Sequence, residues 1–421
     1  MEGLAGQGGV PGGGRRLTHA IQADSLTRRL EAALTERTRA NKDFFDTESE
    51  RLARLCHLMA ERFARGGRLI AFGRSPAARS DARHVAVEFV HPVIVGKRAL
   101  PAIGLAGEGG PLPGQVALAV EPHDIAIAFG VDEDGGEAAS ALSLARERGC
   151  LTVAFAPAGA EWEFGPPSPD PSVRQELVET LYHVLWELVH VFFDHRGLLE
   201  GRDTRPVHDS GASSFLYPFL GEQEQDLEAV VADVRRSVIA KAEEIGELRA
   251  QTLTENRDEL VAAARALRAS FEAGGRLLVM GNGGSATDAM DAVADFRHPP
   301  DPAWQPRRAI DLTEDTGIIT AIANDIGTDA IFSRQVIAHG REGDALLAIS
   351  TSGNSANVIM ALEEARRRGM TTLAMVGYDG GQVAAARLAD HVVITRSEHI
   401  PRIQEAQASA YHLLRELVEA G

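Results

Sequence analysis

The sequence predicts an α/β protein made of two copies of one unit, each a parallel sheet flanked by helices. Three observations carry this. Short apolar runs alternate with longer helical patterns, as parallel strands joined by crossover helices require. The order of elements after residue 220 repeats the order before residue 196. Turns rich in glycine and serine follow the strand patterns Leu277 to Met280 and Leu346-Leu347, and both lead into helices.

Taken in order, residues 1–17 are glycine-rich without an apolar segment, and are expected to be a disordered tail, not a signal peptide. From Ser25 to Arg65, Leu30, Leu34, Leu52, Leu55 and Met59 recur at helical spacing, and Gly66-Gly67 ends the helix. Strands are expected at Arg68 to Gly73, Ile125 to Phe129 and Leu151 to Phe155, and helices at Ser80 to Val90, Ala138 to Arg148 and Val173 to Phe193. The first unit thus spans 18–196. Residues 197–221 have the polar, Gly and Pro composition of a linker, with a Phe215-Leu216-Tyr217 patch expected to pack down. The second unit, 222–421, opens with helices over Glu224 to Ala273 and turns at Gly274-Gly275. Strands follow at Arg276 to Gly281, Ala345 to Ile349, Thr371 to Met375 and His391 to Ile394, with helices at Asp288 to Phe296 and Gln404 to Val418. Asp344 to Ala374 lies over Asp124 to Ala154 without a gap, and Phe296-Arg297-His298-Pro299 meets Phe89-Val90-His91-Pro92, so the chain is a duplication. Leu177, Leu181 and Leu185, with Leu413, Leu414 and Leu417, are expected to form the core joining the units as a pseudo-dimer.

Composition narrows the function. The hydrophobic fraction of 44% and charged fraction of 24% are those of an ordinary soluble protein. A net charge of −17 argues against a nucleic-acid partner, whose binding rests on phosphate neutralisation by Lys and Arg. No run is long and apolar enough to span a bilayer, so no membrane partner is expected. Cys56 and Cys150 are the two cysteines; neither lies in a C-x-x-C pattern, which fits a reducing cytoplasm.

The chemistry concentrates in the turns. Ala348 to Ser355 brings the hydroxyls of Ser350, Thr351, Ser352 and Ser355 to a helix N-terminus, where unpaired N–H groups and the helix dipole favour an anion. Gly281-Asn282-Gly283-Gly284-Ser285 makes a second such loop. Phosphate is the expected ligand.

Together with Ala323-Asn324-Asp325, Gly340 to Asp344 and Arg402-Ile403-Gln404-Glu405, these loops resemble the phosphoheptose isomerases, sedoheptulose 7-phosphate isomerases of the sugar isomerase (SIS) domain family. The resemblance covers nearly all of residues 225–421, and reaches the first half through the repeat. It implies flavodoxin-like SIS domains, homo-oligomers (here a dimer of pseudo-dimers) with sites at their interfaces, and a phosphorylated sugar as substrate. It further implies phosphate binding by Ser350, Thr351, Ser352 and Ser355 with Asn282, Gly283 and Ser285. A zinc site is implied as well, from a His and a Glu four residues apart on one helix and a Gln and a His eight apart on the last, the Glu and second His also serving as acid and base. In the first half these positions are His84, Glu88, Gln175 and His183, which makes Glu88 and His183 the expected catalytic pair. In the second half they are Asp291, Asp295, Gln404 and His412, a set weakened because Asp replaces a neutral nitrogen ligand with an anionic oxygen. Asp325 is a further second-half candidate. The first half lacks the phosphate equipment: Gly130 to Gly135 carries three carboxylates, and Gly73-Arg74-Ser75-Pro76 has a proline without an N–H. One half keeps phosphate loops and the other keeps metal and acid/base side chains. The expectation is a composite interdomain site for aldose–ketose isomerisation through an enediol. The opposing class is a non-catalytic phosphosugar-binding regulator or scaffold.

Overall fold

A computed structural model describes residues 13–93, 97–107, 109–131, 135–194, 199 and 226–420, with side chains described from residue 28 onward. Residues 1–12 of the expected tail, the acidic turn Asp132 to Asp134, and most of the expected linker with its Phe215-Leu216-Tyr217 patch lie outside the described residues.

The first element, α1 (Gly13–Ala64), is a helix of 52 residues. Its start corrects the tail boundary, because residues 13–17 are helical. Extending a formed helix gains a hydrogen bond for each residue fixed, whereas starting one is unfavourable. There follow β1 (Leu69–Phe72), α2 (Pro76–Val90), β2 (Ala102–Leu105), α3 (Leu112–Ala119), β3 (Ile125–Ala128), α4 (Glu137–Glu147), β4 (Leu151–Ala154), β5 (Trp162–Glu163) and α5 (Pro171–Asp194). The second half contains α6 (Leu227–Glu255), α7 (Arg257–Glu272), β6 (Leu277–Gly281), α8 (Gly284–Arg297), β7 (Ala309–Asp311), α9 (Thr316–Asp325) and α10 (Ile331–His339). It continues with β8 (Ala345–Ser350), α11 (Ala356–Arg367), β9 (Thr371–Gly377), α12 (Gly381–Ala385), β10 (His391–Thr395) and α13 (Ile400–Glu419).

Each half holds a five-stranded parallel sheet, ordered β2-β1-β3-β4-β5 and β7-β6-β8-β9-β10. Both are the flavodoxin-like order, which places a ligand crevice where the winding reverses. Strands β1, β3, β4, β6 and β8 are buried along their whole length, as a sheet covered by helices on both faces demands. The sequence expectation missed the edge strands β2, β5 and β7. They are short and incompletely buried: β5 is only Trp162-Glu163, β7 ends on Asp311, and the four-residue run of β2 is interrupted by Gly104.

The halves meet where α2 crosses α8 and α5 packs on α13. The expected leucine seam is not what joins them. Leu177, Leu181 and Leu185 fall in a cluster with the first sheet, while Leu413, Leu414 and Leu417 fall in one with the second. Each closing helix spends its apolar face on its own sheet and turns a buried polar stripe toward its counterpart. Long helices also cross the seam: Val230, Val234 and Val238 of α6 belong to the first half's core, and Leu30 of α1 to the second's.

Candidate active site

The loops after β6 and β8 meet at the reversal of the second sheet. Gly283 adopts φ 59°, a left-handed value that turns the chain from β6 into α8 within two residues. Asn282 and Asn357 exchange two amide hydrogen bonds of 3.0 Å, which tie the glycine loop to the start of α11. Ser355 caps α11 without a side-chain cap bond, leaving its hydroxyl beside the helix's first N–H groups. The Oγ atoms of Ser350 and Ser352 accept from the Gly353 and Asn354 amides, each at 3.2 Å, and hold the turn. Ser285 is buried in the first turn of α8. The Gly377 N–H donates to Thr351 O at 3.0 Å, and Ile403 of α13 packs on Gly377, so the serine loop lies against the start of α13. The structure thus brings all seven expected phosphate residues to one crevice. Asp325 stays apart, exposed at the end of α9 and bonded to the Asn324 amide.

Beneath the crevice lies a first cluster of buried titratable groups. His84 and Glu88 share a face of α2, with His84 Nε2 3.8 Å from Glu88 Oε1 and 3.4 Å from His183 Nε2 of α5. The fourth expected member, Gln175, is not there. Its place is taken by Gln404 of α13, whose Nε2 lies 3.4 Å from His84 Nε2. The reason is the polar seam: α5 and α13 run past each other, so each delivers its Gln to the other half's helix. The start of α8 presses on the same spot. A side chain at Gly284 would run into the Gln404 amide, with His84 Nε2 at 3.1 Å. Three partners were not singled out from sequence. Asp288 lies 3.5 Å from His84 Nδ1, Glu405 accepts from His183 Nδ1 at 2.9 Å, and Glu179 puts a carboxylate oxygen within 4.8 Å of the histidine ligand atoms. Glu179 precedes His183 by one helical turn, the same spacing that marks His84 and Glu88, and so was legible.

Burial governs the charge here. It pushes His84 well below its usual range and His183 down to about 3, so both imidazoles are neutral near pH 7. It also pushes Glu88 up to about 8, helped by the charges of Glu187 and Glu405, and raises Glu405 to about 7 against the pull of Arg402. Arg402 pairs with both Glu187 (2.7 Å) and Glu405 (3.0 Å), and Lys241 also pairs with Glu187.

A second cluster is related to the first by the internal pseudo-symmetry. Asp291 and Asp295 of α8 stand where His84 and Glu88 stand on α2, His412 matches His183, and Gln175 and Glu176 match Gln404 and Glu405. Here the polar groups satisfy one another, Asp295 Oδ2 excepted. Asp291 accepts from Gln175 Nε2 (2.8 Å), Tyr411 Oη (2.7 Å) and His412 Nε2 (3.2 Å). His412 Nδ1 donates to Glu176 Oε1 at 3.0 Å, and Glu176 in turn receives Arg37 and Ser409. Burial opposes a charge on His412, but the bonds to Asp291 and Glu176 outweigh it and raise its pKa well above the ordinary value. The imidazolium is the cation of this cluster. Asp295 is pushed up to about 7, chiefly by burial.

The two clusters differ as metal sites. In the first, Glu405 holds His183 Nδ1 and Asp288 lies 3.5 Å from His84 Nδ1, and the two Nε2 atoms face each other at 3.4 Å. Glu88 Oε2, Gln404 Oε1 and Glu179 Oε1 are buried and accept no hydrogen bond. Two imidazole nitrogens with orphaned oxygens around them are a donor set that fits a divalent cation. The second cluster does not fit one as well, because protonated His412 already neutralises its carboxylates. His91 and His298, paired by the repeat, are the C-caps of α2 and α8, whose backbone N–H groups bond Val87 O and Ala294 O.

Residues 242–377 match the SIS domain model. The chain is 48% identical over 150 residues to phosphoheptose isomerase of Citrifermentans bemidjiense, covering 36% of this chain and 77% of that protein. The chain belongs to the SIS-domain family. A phosphoheptose isomerase of Nitratidesulfovibrio vulgaris strain Miyazaki F is 38% identical over 187 residues, 44% of this chain and 89% of that one. Among solved SIS-like folds, the C-terminal domain of glucosamine-fructose-6-phosphate aminotransferase from Francisella tularensis superposes with TM-score 0.59 at 9% identity, covering 92% of this chain and 94% of the other. Tagatose-6-phosphate ketose/aldose isomerase from Escherichia coli does so with TM-score 0.54 at 13% identity, covering 93% and 92%. These two likenesses extend over both halves and concern the fold. Among the described residues, no helix is long and apolar enough to cross a membrane.

Proposed function

We propose that this SIS-domain protein is a sugar-phosphate isomerase of the phosphoheptose isomerase type, working at one composite site. The observation that carries this is the start of α8: Gly284 of the second half lies against Gln404 and against His84 of the first. A sugar whose phosphate rests on Ser352, Ser355, Asn282 and the N–H groups of α11 would extend its carbonyl end toward His84, Glu88 and His183. The named isomerase relatives support sugar phosphate as the substrate class.

Ser350, Thr351 and Ser285 shape the phosphate seat. Glu88, near neutral pH and out of water, is suited to take the proton from the carbon beside the carbonyl and return it to its neighbour through an enediol. Where no ion occupies its Nε2, His183, oriented by Glu405 at Nδ1, moves the proton between the two oxygens. His84, His183 and Glu179, whose ligand atoms lie within 4.8 Å of one another, would hold a divalent cation such as zinc, with Gln404 and Glu88 beside His84. When bound, the ion would polarise the carbonyl and stabilise negative oxygen. Further assembly into dimers of this pseudo-dimer is also proposed, in keeping with the exposed Ile318 and Ile326 at α9. Light scattering coupled to gel filtration reads it.

The test of function is conversion of sedoheptulose 7-phosphate followed by NMR with and without added zinc, for the wild type and Glu88→Gln. Turnover lost in the variant is expected. A wild type that binds the sugar phosphate at the serine loop but never turns it over, with zinc present, would replace the enzyme by a phosphosugar sensor.

A further inference from the structure

Glu179 of α5 is a buried carboxyl group in acidic company. It is 3% exposed, its Oε1 accepts no hydrogen bond, and no ion pair reaches it among the described residues. Of the charged groups that bear on it most, Asp288, Glu405 and Asp81 are acids and only Arg249 is basic. A carboxylate so placed needs a cation to compensate it. Glu179 also belongs to one half alone. The repeat that sets Gln175 on Gln404 and His183 on His412 sets Glu179 on Ala408. The second cluster, whose cation is His412, has a methyl group where the first has an acid.

The geometry around Glu179 is that of a ligand. It precedes His183 by one helical turn and shares its face of α5. One of its oxygens and a ring nitrogen from each of His84 and His183 lie within 4.8 Å of one another. Bonds of about 2.1 Å in a tetrahedral shell set two ligands about 3.4 Å apart. His84 Nε2 and His183 Nε2 stand at 3.4 Å. Glu88 is outside this group, with Oε1 3.8 Å from His84 Nε2. The family resemblance asks Glu88 both to hold the ion and to act as acid and base, although a lone pair given to an ion is not available to a proton. Two acids on two helices remove that conflict.

We propose that Glu179, and not Glu88, is the carboxylate ligand of the divalent ion, which leaves both oxygens of Glu88 for the proton that passes between the two sugar carbons. The duty left to Glu88 rests on the isomerase reading; the ligand assignment does not.

The test needs no sugar. Zinc affinity of metal-stripped protein is measured against a competing chelator, and the visible spectrum of the cobalt-loaded protein is recorded, for wild type, Glu179→Gln and Glu88→Gln. Glu179→Gln should weaken zinc binding at least about tenfold and shift the cobalt bands, while Glu88→Gln should match the wild type in both within about twofold. Because Glu179→Gln removes an uncompensated buried charge, it should be at least as stable as the wild type to urea in chelator. Added zinc should raise the urea midpoint of the wild type and of Glu88→Gln, but not that of Glu179→Gln. The proposal is overturned if the wild type binds neither ion, if Glu88→Gln loses zinc while Glu179→Gln keeps it, or if the two variants lose it equally. The expected metal pattern in a wild type that does not turn over sedoheptulose 7-phosphate would uphold the ligand assignment and sink the isomerase reading.

Discussion

Replacing Glu405 by alanine probes the seam most directly, because Glu405 belongs to the second half and acts on His183 of the first. Its Oε1 accepts from His183 Nδ1 at 2.9 Å with both side chains fully buried, and its other oxygen pairs with Arg402. Truncation removes one hydrogen bond to a charged group, worth about 1.5–3 kcal/mol. Arg402 keeps Glu187, so the fold retains the rest of the pair. Freed at Nδ1, the His183 ring loses both its tautomer and its orientation. At 1.36 kcal/mol per tenfold, the loss corresponds to roughly 10- to 150-fold in zinc affinity and in kcat. KM for the sugar phosphate should change little, since no serine-loop bond involves Glu405. Zinc titration against a competing chelator and NMR turnover assays read the two effects. Zinc affinity and kcat both within about twofold of wild type, in a folded variant, would refute the reasoning that the halves share one site.

Other outcomes follow from the same network. His84→Ala/His183→Ala should abolish stoichiometric zinc measured by elemental analysis, whereas His412→Gln should leave it unchanged, because the second cluster carries its own cation. Glu176→Gln leaves buried Arg37 and His412 without their shared carboxylate and should destabilise the fold by ~3–5 kcal/mol at pH 7 in urea titrations. Burial opposes the charge of Glu176, but Arg37 and His412 hold its pKa below the usual 4.5. Its contribution is therefore complete above pH 4.5 and lost as pH falls through the lower folded value, so the gap between wild type and Glu176→Gln should narrow only in acid. Ser352→Ala/Ser355→Ala should raise KM for the sugar phosphate at least tenfold with a smaller change in kcat, measured by initial rates.

The duplicated parallel-sheet fold was legible from two signals: buried strands such as Leu346 to Ile349 are continuous apolar runs, and Asp344 to Ala374 aligns with Asp124 to Ala154 without a gap. The side-by-side placement of the glycine and serine loops was legible because each is local in sequence and follows a strand of the same sheet. The first buried cluster was only partly so. Positions 84, 88 and 183 come together as the repeat suggests, but spacing along α5 does not say which half's Gln reaches His84. That choice is made by how α5 and α13 pass each other, a packing fact no single helix encodes. The same holds for Leu177 and Leu413, whose apolar faces are readable but whose target is not. Asp288, and the part Glu405 plays within its motif, were hidden for another reason: a buried acid looks the same in sequence as an exposed one.

The exchange of Gln175 and Gln404 changes what the duplication means. In a symmetric pair of identical subunits, any substitution enters both sites at once, so neither can be altered without the other. A fused chain breaks that constraint, and because each buried cluster draws on helices of both halves, the divergence follows clusters and not domains. One crevice has the serine and glycine loops above, with His84, Glu88 and His183 below, joined by Gln404 and Glu405 from across the seam. At the other, Ser75-Pro76 stands in the corresponding turn, and His412 with Asp291 forms an ion pair where the first cluster keeps acceptor oxygens without a hydrogen bond. Neither half has decayed as a unit, since His412, Gln175 and Glu176 persist in the second cluster as a bonded network that fixes α5 against α8 and α13. That network holds the seam in register, and with it the approach of Gly284 and Gln404 to His84 on which the other site depends.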